Sequence, residues 1–124
     1  MPGFKNARLA EDIKREISLL IQERIKDPRV SDGLVSVVRV ELSGDNSHCK
    51  VYVSHINGGE YTAKAVEGLE SAQWMIRRET ANKLHMKKSP ELVFIADDSI
   101  EHSAAISKMI DEAVNAPKEV KEDE

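Results

Sequence analysis

Five basic side chains crowd into one short stretch of an acidic chain. Residues 71–90 (SAQWMIRRETANKLHMKKSP) hold Arg77, Arg78, Lys83, Lys87 and Lys88 against a single acid, Glu79, for a net charge of +4. The residues before this island sum to −1 and those after it to −7, giving −4 for the chain. An acidic protein can meet a polyanion only through a face on which its bases are gathered, and clustered Arg and Lys do so by neutralising phosphates and releasing their counterions. The same pattern also describes a solvated helix face with bases at its C-terminus, where they complement the helix dipole.

Other candidate chemistries find less support. His48 and Cys49 are adjacent, with His55 and His102 elsewhere, and no pair has finger-type or H-E-x-x-H spacing. Neighbours on a strand point to opposite faces, so His48 and Cys49 could not easily share an ion; neither a metal nor another cofactor is expected. Asp97-Asp98 follow a strand end and read as a turn with capping function. With no phosphate loop, nucleophile elbow or Ser/His/Asp pattern, the sequence does not read as an enzyme. The lone cysteine excludes an internal disulfide and fits a reducing cytoplasm. No apolar run approaches the roughly 20 residues of a membrane span. Lys5, Arg8, Arg15 and Arg29 could extend a basic surface, although Glu11, Asp12 and Glu16 are interleaved among them.

The elements that would position these residues follow from apolar spacing. Leu9, Ile13, Ile17, Leu20 and Ile21 predict a helix over 6–26, ended by Asp27-Pro28. Residues 34–42 (LVSVVRVEL) and 49–54 (CKVYVS) read as strands, and the polar SGDNSH between them makes an antiparallel hairpin. After Gly58-Gly59, a second helical region spans about 61–86 with Val66, Leu69, Ala72, Ile76, Thr80 and Leu84 on one side. This line leaves Trp74, Arg77, Arg78, Ala81 and His85 on an outward arc, with Lys87 and Lys88 in the turn before Pro90. LVFIA (92–96) is a continuous apolar run, expected as a strand covered on both faces. Ser99 could cap an optional last helix over 100–116, and a charged tail follows from 115. The order is α-β-β-α-β, a single α+β domain over 1–114 with the tail at 115–124.

Trp74 lies roughly 140° from the apolar line if the helix is continuous. Either the helix breaks near Ala72–Trp74, or the indole is exposed beside Arg78, where it could stack on a base or under a guanidinium.

Three segments in this order carry a resemblance: a helix ending KDPRV (26–30), VVRVELSGDNSHCKVYVS (37–54) and IRRETANKLHMKKSPELVF (76–94). Together they resemble the ribosome-binding factor A family of bacterial small-subunit assembly factors, over about residues 7–110. The resemblance implies a type II KH-like fold, α-β-β-α-(kink)-α-β, with a three-stranded mixed sheet and helices on one face. It implies no catalysis but binding, as a monomer, to the immature 30S subunit and its 16S rRNA. It further implies help in late maturation and 5′-end processing, importance in the cold, and release involving an assembly GTPase or an initiation factor. The RNA-binding residues expected on the strength of the basic island and its outward arc are Trp74, Arg77, Arg78, Lys83, His85, Lys87 and Lys88, with Arg8 and Arg29. The family's helix–kink–helix carries an Ala-x-Gly step; here the aligned residues are Ala72-Gln73-Trp74, with tryptophan in place of glycine. The family's usual arginine near the end of this helix is also missing, and Lys87 or Lys88 keeps the charge without the bidentate fork. A rival expectation is a protein-interaction module whose acidic C-terminal region docks a basic ribosomal protein.

Overall fold

Ile13, Ile17, Leu20 and Ile21 lie on the buried side of α1, Pro2–Glu23, as their spacing requires. The computed structural model describes residues 2–97, with side chains from residue 7 onward. The Lys5 side chain, Asp98, the Ser99 cap, the helix expected over 100–116, His102 and the tail at 115–124 therefore fall outside the described residues. The remaining elements are α2 (Pro28–Ser31), β1 (Val35–Leu42), β2 (His48–His55), α3 (Gly59–Ser71), α4 (Gln73–Lys83) and β3 (Glu91–Ala96).

Asp27-Pro28 does not end the first helix; it starts the next one. α1 stops at Glu23, and the N–H groups of Arg24 and Ile25 both reach the Leu20 carbonyl, at 2.8 and 3.0 Å. Asp27 then takes the extended conformation of an N-cap, with Oδ1 accepting the Arg29 N–H at 2.9 Å, and Pro28 occupies the first helical position. Proline suits that position because its missing N–H would have no partner there. Stop and start signals share the same residues, so spacing alone could not separate them.

The sheet has the order β1-β2-β3, with β1 antiparallel to β2 and β2 parallel to β3. Leu42 faces Cys49, Val51 faces Phe94, and the β1 register shifts between Val37 and Arg39. A parallel pair needs a long crossover, which α3 and α4 supply. Val37, Cys49, Val51, Val53, Leu92 and Phe94 point to the helices and form the core with Ile13, Ile17, Leu20, Leu69 and Ile76. The expectation that 92–96 is covered on both faces is corrected. Leu92 and Phe94 are buried, whereas Val93 is 40% exposed and Ala96 is exposed, because the core lies on one face of the sheet. On the open face the Arg39 guanidinium lies 4.0 Å from the Tyr52 ring centroid.

Two polar knots hold the connections. In the hairpin tip Asp45 Oδ1 accepts from the Ser43 hydroxyl (2.8 Å), the Ser47 hydroxyl (2.7 Å) and the Ser47 N–H (3.1 Å). These bonds, that from the Ser47 hydroxyl foremost, hold the carboxyl down at about 2. At the end of β2, His55 is buried, stacked on Tyr61 at 5.0 Å, and its Nδ1 accepts the Asn57 N–H at 3.0 Å. That assigns the proton to Nε2, which donates to Asp32 Oδ2 at 2.7 Å. Burial raises the Asp32 carboxyl, but the bonds from His55 and the Leu34 N–H outweigh it and the net shift is downward.

α2 sits on α3 at a position that has room only for hydrogen. A Cβ at Gly68 would lie 2.7 Å from Val30 Cγ2 and 3.4 Å from both Arg29 Cβ and Asp27 Cγ. Val30 is itself fully buried. Gly68→Ala should cost about 1–3 kcal/mol, as overpacking does. In a Val30→Ala background the same change should cost markedly less, because the clashing methyl is gone. Urea unfolding of the four proteins checks this; equal costs in both backgrounds would contradict the contact.

Candidate nucleic-acid interface

The basic island is built around a break in one long helical segment. At Ala72 (φ −95°, ψ 8°) the N–H is shared between the carbonyls of Gly68 (3.2 Å) and Leu69 (3.1 Å), which closes α3. The Ala72 carbonyl then accepts the Ile76 N–H at 3.0 Å and opens α4. Ala72 takes the bridge conformation, which a residue with a Cβ can adopt, so the bend needs no left-handed glycine. Trp74 is an ordinary helical residue just after it. Leu69, Ile76 and Thr80 are buried on either side of the break, with Val66, Ala72 and Leu84 half-buried.

Both alternatives raised for Trp74 hold together: the helix breaks, and the indole is 76% exposed. Its partner is corrected, however. The Arg77 guanidinium, not that of Arg78, stacks on it, 4.9 Å from the ring centroid. Arg77 leaves the expected outward arc and is half-buried; its Nη2 donates to the Ser89 carbonyl at 3.3 Å, and its Nε is buried with no hydrogen-bond partner among the described residues. It therefore ties α4 to the bend that leads into β3.

Of the five cations in the island, Arg78, Lys83, Lys87 and Lys88 are left in solvent, with His85 exposed among them. Arg78 makes only a loose approach of 3.8 Å to Glu79. Arg8 is exposed on α1, next to Leu9, which shares a groove with Lys87 and Lys88. Arg29 sits elsewhere and is committed. Its Nε and Nη2 bond Asp27 at 3.0 and 2.6 Å, and its Nη1 reaches Glu67 on α3 at 3.4 Å. The hydrogen bonds from Arg29 hold Asp27 at about 2 and raise the guanidinium in turn. Arg15 pairs with Asp12 at 3.0 Å.

Sequence spacing does not reveal that the hairpin tip faces the end of α4. Asp45, Asn46 and Ser47 line one groove with His85, Met86, Lys87 and Lys88. The tip reads only as a polar turn, and turn composition says nothing of what packs opposite it. His48 and Cys49 occupy opposite faces of β2, the first exposed and the second buried, and burial pushes the Cys49 thiol up to about 12. Among the described residues no three His, Cys, Asp or Glu side chains gather as metal ligands would, and no helix is long and apolar enough to cross a membrane.

α4 ends in a Schellman motif: the His85 N–H bonds the Asn82 carbonyl at 3.3 Å and the Met86 N–H bonds that of Ala81 at 2.8 Å. His85 holds the left-handed position (φ 55°) that glycine usually fills. His85→Gly should stabilise the fold by about 1 kcal/mol by removing the Cβ penalty. That corresponds to a rise of about 4 °C in Tm, measured by thermal unfolding; a fall would contradict the strained cap.

A family model described as ribosome-binding factor A matches residues 5–110. Ribosome-binding factor A of Moorella thermoacetica is 44% identical over 106 residues, covering 86% of this chain and 87% of that one. The crystal structure of ribosome-binding factor A from Thermus thermophilus superposes with a TM-score of 0.64 at 30% identity, covering 73% of this chain and 94% of that one. A homology model of the Thermus thermophilus ribosome-binding factor A, fitted into the cryo-EM map of a complex of the 30S subunit with ribosome-binding factor A, gives a TM-score of 0.61 at 29% identity, covering 75% of this chain and 96% of that one. The one-sided mixed sheet, the helix pair broken at Ala72 and the matched length agree in one KH-like architecture, and the chain belongs to the ribosome-binding factor A family.

Proposed function

We propose that this protein binds the immature 30S subunit, contacts its 16S rRNA and assists late maturation and 5′-end processing. It acts by occupying its site rather than by catalysis, works in the cytoplasm as a monomer, and matters most in the cold. An assembly GTPase is the partner of its release. The observation that carries the reading is the set of exposed cations on α4 and in the turn after it, in a family for which a Thermus thermophilus homology model is fitted into the map of a 30S complex. Arg78, Lys83, Lys87 and Lys88 supply phosphate contacts with water already at their head groups, so little burial opposes them. Trp74, held flat by Arg77, offers an exposed face on which a base can stack. Arg8 extends the surface along α1, and His85 adds a hydrogen-bonding edge. Arg29 is left out of the contact set, because its donors already serve Asp27 and Glu67.

The test is salt-dependent binding to precursor 30S particles. Arg78→Glu combined with Lys87→Glu and Lys88→Glu alters exposed side chains only, so the thermal transition should stay within a few degrees. Binding should fall by at least tenfold, and the plot of log affinity against log salt should flatten by about one unit for each phosphate no longer neutralised. Binding that survives the triple reversal but disappears when residues 115–124 are deleted would instead support docking through the acidic C-terminal region.

A further inference from the structure

Among the described residues, two non-glycine positions have left-handed backbone, Asn46 (φ 63°) and His85 (φ 55°). They belong to different connections, the β1–β2 turn and the end of α4, yet both line the same groove of about 440 Å³. Side chains held in sparsely populated backbone regions concentrate where a ligand is gripped, and here two converge on one space. The volume lies at the lower end of the range for small-ligand sites, suited to one nucleotide and too small for a duplex.

The lining divides by chemistry. Leu9, Leu84 and Met86 form an apolar floor, and all three pack against the hydrophobic core. Lys87 and Lys88 stand exposed at one side with no ion pair to an acid among the described residues. The opposite wall is the hairpin tip, where Asp45 is held ionised by its serine hydrogen bonds. The three bonds from Ser43 and Ser47 all end on Oδ1. A carboxylate is an acceptor only, so Oδ2 asks for N–H donors. Guanine is the base whose Watson–Crick edge presents two adjacent donors, N1–H and N2–H, and unpaired bases in RNA are read on that edge.

We propose that this groove receives one unpaired guanine nucleotide of the bound RNA. Its base lies over Leu9, Leu84 and Met86 beside the His85 imidazole, its Watson–Crick edge meets Asp45, and its phosphate meets Lys87 and Lys88. This rests on the RNA-binding reading above and adds a single-nucleotide subsite to a surface otherwise blind to sequence. It also accounts for a histidine at a helix end where glycine would be less strained.

The experiment titrates the full isotope-labelled chain with GMP, AMP, CMP, UMP and inorganic phosphate, following backbone amide signals. GMP should shift Asn46, Ser47 and Met86 saturably, with at least fivefold higher affinity than the other three nucleotides. Phosphate should move only Lys87, Lys88 and their neighbours. His85→Gly should keep or raise Tm while weakening the GMP response, and Asp45→Asn should remove the guanine preference. The proposal is overturned by silence at Asn46 and Ser47, by equal responses to all four nucleotides, or by phosphate alone reproducing the pattern. Binding of the same protein to 30S precursors is measured in parallel. Retained subunit binding with a silent groove rejects the subsite alone, whereas loss of subunit binding rejects the broader function.

Discussion

The break at Ala72 is the constraint on which the rest of the molecule turns. One helical segment must bury Leu69 against the sheet and Ile76 against the same core, yet leave room for α1 beside it. By releasing the α-helical ladder at one residue, the chain lets α3 pack on α2, β2 and β3 while α4 leans on α1. The bend is made by a shared donor at the Ala72 N–H rather than by a special backbone angle at Trp74. Glycine is therefore dispensable at that step, and a large aromatic can stand there because it points into solvent. Gly68, four residues earlier, is where the lack of a side chain is required, since α2 approaches too closely for a Cβ.

The distribution of cations follows from what each head group can bond. Arg29 and Arg77 are drawn into the fold, the first by a bidentate match to Asp27 and the second by an aromatic face and a carbonyl. A planar guanidinium suits such sites because its donors lie in a fixed fork and it is weakly hydrated. Lys83, Lys87 and Lys88 stay in water, where they can exchange hydration for phosphate at small cost. Net charge over a segment counts both kinds alike. Only the packing separates the arginines that build the surface from the bases that are displayed on it.

What is legible in the sequence is what repeats. The inward positions of α1, α3 and α4 and the alternation of β2 are readable because burial follows the periods of helix and strand. The hairpin is readable from the turn between two β-rich runs. Asp27-Pro28 misleads because a residue that stops one helix can equally cap another. The apolar character of 92–96 hides its facing, since Val93 is exposed because the described helices pack on the other side of the sheet, not because it is polar. Arg77 and His85 stand out by residue type, but their distinct roles depend on Ser89 and on a left-handed backbone, and neither leaves a mark in residue spacing. The groove between hairpin tip and α4 arises wholly from tertiary packing.

The proposed function puts the contact with ribosomal RNA at the end of α4, not on the open face of the sheet. Cys49 is buried and its thiol is held at about 12, so a single engineered surface cysteine can be labelled selectively. The most direct measurement tethers iron–EDTA at Lys83→Cys on α4 or at Lys50→Cys on the exposed side of β2 and maps hydroxyl-radical cleavage of 16S rRNA in 30S precursors. Strong, localised cleavage from position 83 and little from position 50 is the predicted result. Cleavage from position 50 alone, or none from either in particles that hold the protein, would contradict it.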